Sequence, residues 1–284
     1  MPAARPRRCR CRPRRCALAL CPLTAAPTPS HHPSDEERAK IFLQFSKAAY
    51  CDEAGIADWS CAPCQADPSF NATVFTDAKS KGQAFVGLSQ QGPAIVVAFR
   101  GSSNLLNWIS DLDFPKHTEY PKCDGCKVHE GFYKAWVALL PGVRAEVLRL
   151  HAAAPAAQLF FTGHSLGAAL AVLAAAELHY SEGLEVDAVY TYGEPRVGND
   201  AFHKFYSNGT HVSWRVTHNR DPVPKLPPKL FGFEHIPTEV HYNEDSSSFK
   251  VCDSSGEDEG CADGELSFRV GDHTRYLGTS TDCN

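Results

Sequence analysis

The chain has 284 residues, 43% of them hydrophobic, and a net charge of −5 at pH 7. Its length and hydrophobic content are sufficient to bury a large core within one domain. Seven of its 28 lysines and arginines are arginines that precede Ala17, so 21 basic residues face 33 acidic ones in the rest of the chain, a net charge of −12. This acidic balance argues against nucleic acid as a partner, and no run of about 18 apolar residues predicts a membrane span.

Residues 1–34 differ in composition from the remainder of the chain. An arginine-rich run up to Arg15 is followed by a short apolar stretch and then by a segment rich in Pro, Ser and Thr. This order resembles a secretory signal, although Pro22 interrupts the apolar part, and a wrongly assigned N-terminus is an equal alternative. We expect residues 1–34 to be a disordered leader and residues 35–284 to form a single domain.

Helical and strand patterns alternate along the predicted domain. A capping box opens the first helix, and β-branched and aromatic runs mark the strands. In chain order, the patterns predict a helix from Ser34 to about Tyr50, strands Gln83–Ser89 and Ala94–Phe99, a helix Gly131–His151 that Pro141 splits or kinks, a strand Leu159–Thr162, a helix Ala168–Leu178, and strands Ala188–Tyr192 and Ser213–Thr217. This alternation predicts an α/β fold with a central, mostly parallel sheet that has helices on both faces.

The most informative motif is Gly163-His164-Ser165-Leu166-Gly167, which lies between a predicted strand and a predicted helix. A G-x-S-x-G sequence in this context is typical of a nucleophile elbow, a strained turn that exposes the serine hydroxyl above the sheet. The two glycines leave room where the helix and the neighbouring strand pass close to the turn. The motif therefore predicts Ser165 as a nucleophile and a structural role for His164. An incidental serine in a glycine-rich turn is the alternative.

A serine nucleophile needs a base, and the base needs an acid that orients it. In α/β-hydrolases the acid follows the serine along the chain and the histidine comes last. Asp221 is the preferred acid because it follows a strand end, where side chains reach the catalytic edge of the sheet. On spacing alone, an ordinary turn residue before Pro222 is an equal alternative. The other candidates are less suitable, since Asp187 precedes its strand and Asp200 opens a helix.

The chain after Asp221 contains three histidines and one acidic run. His273 lies in a loop near the C-terminus, whereas His235 and His241 are surrounded in sequence by aromatic and apolar residues. For His235 and His241 a hydrogen-bonded packing role is the default. The acidic run, residues 257–259, is predicted to be a solvated loop rather than an ion site.

Acyl transfer also requires hydrogen-bond donors for the oxyanion that develops in the transition state. The amide of Leu166, directly after the nucleophile, is predicted to supply one donor. The second should come from a loop that follows an earlier strand, and Phe99-Arg100-Gly101-Ser102 meets this condition. Ser102 offers both its amide and its hydroxyl.

A short amphipathic helix is predicted directly after this loop. An ordinary surface helix would show the same pattern, but the position beside the predicted oxyanion donors favours a lid that covers the site and moves away at a lipid surface. Apolar residues recur there at i, i+3, i+4 and i+7. They are Leu105, Trp108, Ile109 and Leu112.

Eight cysteines remain once the leader is set aside. An even number in an acidic chain favours disulfides and an oxidising compartment, and the sequons at Asn71 and Asn208 agree with secretion. The alternative is a zinc site built from two C-x-x-C pairs, which would leave four cysteines unexplained. The eight are Cys51, Cys61, Cys64, Cys123, Cys126, Cys252, Cys261 and Cys283.

Seven segments of the chain follow the order in which they occur in one known family. They are Phe99–Ser103, Asn107–Leu112, Val128–Phe132, Thr162–Gly167, Tyr192–Asn199, Arg220–Pro228 and Asp272-His273. In these segments the chain resembles the fungal class 3 lipases, a family that also includes type A feruloyl esterases. The resemblance covers nearly everything from Asp35 to Cys283.

The resemblance implies the α/β-hydrolase fold with a short helical lid at about residues 103–113. Trp108 takes the position of the family's lid tryptophan. The implied triad is Ser165, Asp221 and His273, and the implied oxyanion hole is formed by Ser102 and Leu166. The implied disulfides are Cys51–Cys283, Cys61–Cys64, Cys123–Cys126 and Cys252–Cys261. The second of these is similar to the lipase branch and the third to the feruloyl esterase branch.

We therefore predict a secreted, monomeric carboxylic ester hydrolase that acts as a triacylglycerol lipase through an acyl-enzyme, with no metal and no organic cofactor. Its partner is an ester substrate at a lipid–water interface, which it contacts peripherally without spanning a membrane. The apolar face of the predicted lid favours a lipase over the alternative, a feruloyl esterase with a polar lid. A non-catalytic lipid-binding protein is the remote alternative, because every catalytic role has a candidate residue.

Overall fold

An eight-stranded sheet lies at the centre of the part of the chain that the computed structural model describes, namely residues 33–90, 92–102, 104, 117–209 and 212–284. Residues 1–32 of the predicted leader lie outside the described residues, and so do the predicted lid residues Leu105, Trp108, Ile109 and Leu112. None of the described helices is both long and apolar enough to cross a membrane.

The described strands form one large sheet and two small ones. In chain order they are β1 (Asn71–Asp77), β2 (Gly82–Ser89), β3 (Ala94–Phe99), β4 (His117–Glu119), β5 (Lys127–His129), β6 (Gln158–His164), β7 (Ala188–Tyr192), β8 (Val212–His218), β9 (Glu239–Tyr242), β10 (Phe249–Val251), β11 (Arg275–Tyr276) and β12 (Thr279–Ser280). The large sheet has the order β1-β2-β3-β6-β7-β8-β9-β10, while β4 pairs with β5 and β11 with β12. Its five middle strands, β3 and β6 to β9, run parallel, and the outer strands pair antiparallel.

Helices pack on both faces of this sheet. Helix α1 lies on one face, and α3, α4 and α5 contribute to the apolar cluster on the other. The described α-helices are α1 (Pro33–Ala48), α2 (Glu53–Ala57), α3 (Glu130–Ala153), α4 (Leu166–Glu182) and α5 (Asp200–Gly209). The predicted α/β-hydrolase fold, with its mostly parallel sheet between two helical layers, is confirmed.

The sequence of β3, Ala-Ile-Val-Val-Ala-Phe, shows why the sheet can be covered on both sides. Ile95, Val97 and Phe99 are buried in the cluster with α3 and α4, whereas Val96 and Ala98 are buried in the cluster with α1. Side chains alternate between the two faces of a strand, so a strand covered on both faces is apolar throughout. The β-branched residues also favour the extended backbone.

Seven strands (β1, β4, β5 and β9 to β12) and helix α2 were not predicted from the sequence, and α3 differs from its prediction. Strand β1 lies between the predicted helix that ends near Tyr50 and the predicted strand that begins at Gln83, and β9 and β10 lie beyond the last predicted strand, Ser213–Thr217. The side chains of β1 and β10 are half-exposed, and a strand without an apolar run gives little pattern. Strand β9 is mostly buried, but its four residues, Glu-Val-His-Tyr, contain no apolar run either. Helix α3 continues through Pro141 as one element and is not split there.

Four disulfides join the eight cysteines of the described chain: Cys51–Cys283, Cys61–Cys64, Cys123–Cys126 and Cys252–Cys261. Because each C-x-x-C pair is bonded internally, its sulfurs are not available as the thiolates that zinc binds. Cys252 and Cys261 also lie close to the Glu239 carboxylate, and their disulfide rules out a metal site for the same reason. The bond from Cys51 to Cys283 attaches the C-terminal segment to the chain directly after α1.

Candidate active site

The carboxyl ends of four parallel strands form the edge of the sheet at which the candidate residues meet. Phe99 pairs with Gly163, His164 with Tyr192, and Tyr192 with Val216, so β3, β6, β7 and β8 end at nearly the same level. The loops that follow these strands are therefore neighbours. They carry Ser102, Ser165, Gly193 and Asp221, respectively.

Ser165 occupies a sharp turn between β6 and α4. Its backbone has φ 59° and ψ −129°, a conformation that a residue with a side chain rarely adopts. The turn is held because the Ser165 amide donates to the Tyr192 carbonyl at 2.9 Å. A Cβ at Gly163 would lie 2.3 Å from the backbone of Gly167, and a Cβ at Gly167 would lie 2.2 Å from the Phe99 carbonyl oxygen. Both glycines are thus required by close approach of the backbone, as the motif predicts.

Asp221 and His273 form a hydrogen-bonded pair that is almost fully buried. His273 lies in a 3-10 turn, Val270–Thr274, and its Nδ1 donates to Asp221 Oδ2 at 2.7 Å. The other carboxylate oxygen accepts from the Val223 amide at 2.8 Å. With its proton on Nδ1, the neutral imidazole presents the lone pair of Nε2 as a base.

The Ser165 hydroxyl and His273 Nε2 are buried polar atoms that make no hydrogen bond with the rest of the described chain. Both residues line one cavity of about 210 Å³. Buried polar atoms are rarely left unpaired, and exceptions call for an explanation. A free hydroxyl and a free imidazole nitrogen at the same cavity are what nucleophilic attack on a bound substrate needs.

The two candidate oxyanion donors lie next to this hydroxyl. Ser102 is half-buried and lines the same cavity. The chain just before it passes close to the nucleophile, since a Cβ at Gly101 would lie 3.1 Å from Ser165 Cβ. Leu166 is the first residue of α4, so its amide is at the positive end of the helix dipole. Ser102 and Leu166 therefore remain the candidate oxyanion donors, one lining the cavity and the other directly following the nucleophile.

His164 and Tyr50 form a buried support beneath the histidine loop. His164 Nε2 donates to the His273 carbonyl at 2.8 Å, and the Tyr50 hydroxyl donates to His164 Nδ1 at 2.7 Å. Burial, reinforced by the neighbouring His273, holds the pKa of His164 well below its usual value. The His164 ring therefore stays neutral and places no second positive charge beside the imidazolium that forms on His273. Its structural role agrees with the sequence prediction, whereas Tyr50 was not singled out by any motif.

Gly193 and Asp272 also hold His273 in place, and no residue pattern predicts this role for either of them. Gly193 has φ 58°, and a Cβ there would lie 2.8 Å from His273 Cε1. Asp272 accepts from Asn219 Nδ2 at 2.8 Å, which ties the histidine turn to the loop after β8. The glycine in the Tyr-Gly-Glu-Pro-Arg segment was the only available signal for the first of these.

Tyr276 is a third hydrogen-bond donor to the Asp221 carboxylate, since its hydroxyl donates to the same oxygen as His273. Burial and the Asp221 charge raise the pKa of Tyr276 well above its usual value, so the phenol remains a donor. A hydrogen bond to a charged group contributes about 1.5 kcal/mol. Nothing in the local sequence indicates this contact, because it joins residues separated by 55 positions.

Tyr276→Phe should lower kcat/KM on a soluble p-nitrophenyl ester about 10-fold. The variant loses the hydrogen bond that orients the Asp221 carboxylate, which contributes about 1.5 kcal/mol. Tyr206→Phe is the matched control, since Tyr206 is equally buried but its hydroxyl contacts Ser213 in another part of the fold. An equal loss of activity in both variants would contradict a specific role for Tyr276.

The remaining sequence candidates lie away from the cavity. Asp187 accepts from the Leu159 amide at 2.8 Å at the opposite end of the strands, and Asp200 pairs with Lys204 at 2.6 Å on the surface. His235 donates to the Pro224 carbonyl, and His241 hydrogen-bonds Thr217. These are packing and surface roles.

The acidic run at residues 257–259 lies in a loop, as predicted, but the prediction that it is solvated was wrong for Glu257. Glu257 is largely buried and makes a bidentate ion pair with the buried Arg196, at 2.7 Å for each hydrogen bond. Asp258 pairs with Lys250 at 2.9 Å. Arg196 lies 61 positions from Glu257, so the local sequence around the acidic run gives no indication of this ion pair.

Comparison with known proteins gives consistent matches over most of the chain. The sequence model of the family described as Lipase (class 3) matches residues 96–231. The secreted mono- and diacylglycerol lipase 1 of Fusarium solani is 34% identical over 266 residues, or 88% of this chain and 78% of that protein. Lipase II from Rhizopus niveus superposes with a TM-score of 0.85 at 28% identity, over 89% of this chain and 98% of that one. A triacylglycerol lipase with a serine-protease triad as its catalytic centre superposes with a TM-score of 0.83 at 32% identity, over the same shares of the two chains.

Proposed function

The chain belongs to the class 3 lipase family, and on this basis we propose that it is a triacylglycerol lipase whose catalytic triad is Ser165, Asp221 and His273. Membership of the family makes the protein a serine ester hydrolase. One arrangement supports the assignment of the residues. The Ser165 hydroxyl and His273 Nε2, which have no hydrogen-bond partner among the described residues, line one cavity, and Asp221 accepts from the other ring nitrogen of His273.

Acylation begins when His273 Nε2 removes the proton from the Ser165 hydroxyl as the oxygen attacks the ester carbonyl. Asp221 stabilises the imidazolium that forms, and the contacts from Val223 and Tyr276 hold the carboxylate in place. The oxyanion is bound by the amide of Leu166 together with the amide and hydroxyl of Ser102. His273 then gives its proton to the leaving alcohol, and water attacks the acyl-enzyme by the same route.

An apolar rim, defined here as Leu230, Phe231, Leu266, Phe268 and Val270, supports action at a lipid–water interface. These are five of the nine large apolar side chains that are exposed in the described chain. They lie on the two loops that lead away from Asp221 and toward His273. Lys225 joins these loops, since its ammonium lies 5.3 Å from the centre of the Phe268 ring. Exposed apolar side chains on the chain segments that follow the catalytic acid and precede the catalytic histidine are suited to peripheral contact with lipid.

We expect the hydrolysis rate on tributyrin to rise sharply once its concentration passes the solubility limit and droplets form. The double variant Leu266→Ser/Phe268→Ser should reduce the ratio of emulsion rate to soluble-ester rate about 10-fold, because each exposed apolar side chain contributes about 1 kcal/mol or less to interfacial binding. The measurement is initial rate against tributyrin concentration, compared with the rate on a soluble p-nitrophenyl ester.

Ile41→Ser/Val137→Ser is the matched control for this experiment. Both side chains are exposed and apolar, but they lie on α1 and α3 rather than on the catalytic loops. The control should retain the wild-type ratio. A smooth saturating curve on tributyrin together with efficient cleavage of methyl ferulate would instead make the protein a hydroxycinnamoyl esterase.

We also propose that the protein is secreted and acts as a monomer. Four disulfides are typical of an oxidising compartment, and the relative from Fusarium solani is described as secreted. Every role in the proposed reaction, namely nucleophile, base, acid and oxyanion donor, is assigned to a residue of this one chain, which supports action as a monomer.

A further inference from the structure

The C-terminal segment supplies a polar wall to the catalytic cavity. Thr274, Thr281 and Asp282 line the cavity together with Ser165 and His273. The position of this wall is determined by two constraints that flank Asp282: the pairing of β11 with β12, and the disulfide from Cys283 to Cys51. The cavity of this esterase therefore has a carboxylate among its lining groups.

The Asp282 carboxylate has no compensating cation in the described part of the chain. Its Oδ1 accepts from the Ser280 hydroxyl at 2.8 Å and from the Asn284 amide at 3.2 Å, and Oδ2 makes no hydrogen bond there. Two cations lie near this segment without an ion pair to Asp282: the Lys47 ammonium donates to Thr279 Oγ1 at 3.4 Å, and Arg275 is the cross-strand partner of Ser280. Both donors to Asp282 are neutral, so they fix its orientation and leave its negative charge in place.

We infer that Asp282 is a specificity-determining residue, which makes the cavity select neutral esters and reject esters that carry a negative charge near the scissile bond. This inference rests on the proposed ester hydrolase function and names its substrate class. Two like charges at the mouth of a cavity repel each other, and at a separation of several Å near a protein surface the effect on binding is roughly 3- to 10-fold. The repulsion weakens with salt because the carboxylate is exposed.

The same charge acts on the product of the proposed reaction. Hydrolysis of a neutral ester releases a carboxylate, so the product carries a negative charge that the substrate lacked. Asp282 repels this group while it is still in the cavity. Product carboxylates are therefore expected to be weaker inhibitors of this protein than of a variant without the charge.

Two soluble substrates of similar length test the inference: p-nitrophenyl butyrate, which is neutral, and the mono-p-nitrophenyl ester of succinic acid, which is anionic. Asp282→Asn should raise the ratio of kcat/KM for the anionic ester to that for the neutral ester roughly 3- to 10-fold. The gain should shrink when NaCl is raised from about 0.02 M to about 0.5 M. Inhibition by butyrate should strengthen by a similar factor.

Glu185→Gln is the matched control, because it removes one exposed negative charge near the start of β7, at the opposite end of the strands from the cavity. It should leave the substrate ratio unchanged. Asparagine retains the oxygen that accepts from Ser280 and Asn284, so Asp282→Asn is expected to fold. An unchanged ratio in Asp282→Asn, or an equal change in both variants, would overturn the inference while leaving the esterase proposal intact. Failure of the wild-type protein to cleave either ester would instead overturn the proposed function itself.

Discussion

Replacing Ser165 with alanine will lower kcat on a soluble ester by about 10⁴- to 10⁶-fold while the protein stays folded. Removal of the nucleophile leaves only the oxyanion donors and substrate binding, so the residual rate approaches that of water-assisted hydrolysis. The hydroxyl makes no hydrogen bond in the described structure, and the contact to Tyr192 comes from the Ser165 amide, which alanine keeps. The thermal midpoint should therefore change little.

Two measurements test this result together. Hydrolysis of a p-nitrophenyl ester gives the loss of kcat, and labelling with a serine-reactive phosphonate reports whether the nucleophile is present. The wild-type protein should be labelled once and Ser165→Ala should not be labelled. Ser89→Ala, a buried serine on β2, is the control and should retain both activity and labelling. Labelling of Ser165→Ala at another residue would show that the nucleophile lies elsewhere.

The elbow was the most predictable part of the site because its determinants are local. A strand, a tight turn with two glycines and a helix are consecutive in the chain, and the need for Gly163 and Gly167 follows from backbone packing around one turn. The central strands of the sheet were equally predictable from the sequence. A strand that is covered on both faces, such as β3, must be apolar throughout, and no helix-like spacing of polar residues competes with that pattern.

The partners of Ser165 were less predictable because they depend on contacts between distant parts of the chain. Asp221 and His273 are separated by 52 positions, and the residue patterns gave His235 and His241 a packing role by default without identifying His273 as the base. The family resemblance, not the spacing, singled out His273. Tyr276 had no signal at all, since a tyrosine that donates to a buried carboxylate looks in sequence like any core aromatic residue. Local patterns record periodicity, whereas the site is assembled by tertiary hydrogen bonds.

Strand β1 at the edge of the sheet and the ion pair of Glu257 are two structural features that local sequence patterns also fail to predict. Strand β1 lies at the edge of the sheet and none of its seven side chains is fully buried, so it has no apolar run to mark it. The local sequence predicts that Glu257 is solvated, whereas the fold buries it against Arg196. A charge is buried only where a partner is available, and that partner lies 61 residues away.

The largest expected effect on stability comes from the disulfide between Cys51 and Cys283. Its two cysteines are 232 positions apart, and loop-closure entropy assigns about 5 kcal/mol to a cross-link of that span. The double variant Cys51→Ser/Cys283→Ser should therefore lose about 5 kcal/mol in the free energy of unfolding and melt about 10–20 °C lower. It should also lose activity, because the bond anchors the segment that carries Asp282 and that follows His273 closely in the chain.

Cys61→Ser/Cys64→Ser provides the comparison that separates loop closure from a general effect of removing sulfur. These cysteines are three positions apart, so loop-closure entropy assigns only about 2 kcal/mol to their bond. Urea unfolding of both variants under non-reducing conditions gives the two free energies. If the losses are equal, loop closure does not explain the stabilisation by Cys51–Cys283. If Cys51→Ser/Cys283→Ser is less stable but fully active below its melting point, the contacts of His273 with Asp221 and of Asp272 with Asn219 are sufficient to keep the catalytic histidine in position without the covalent anchor.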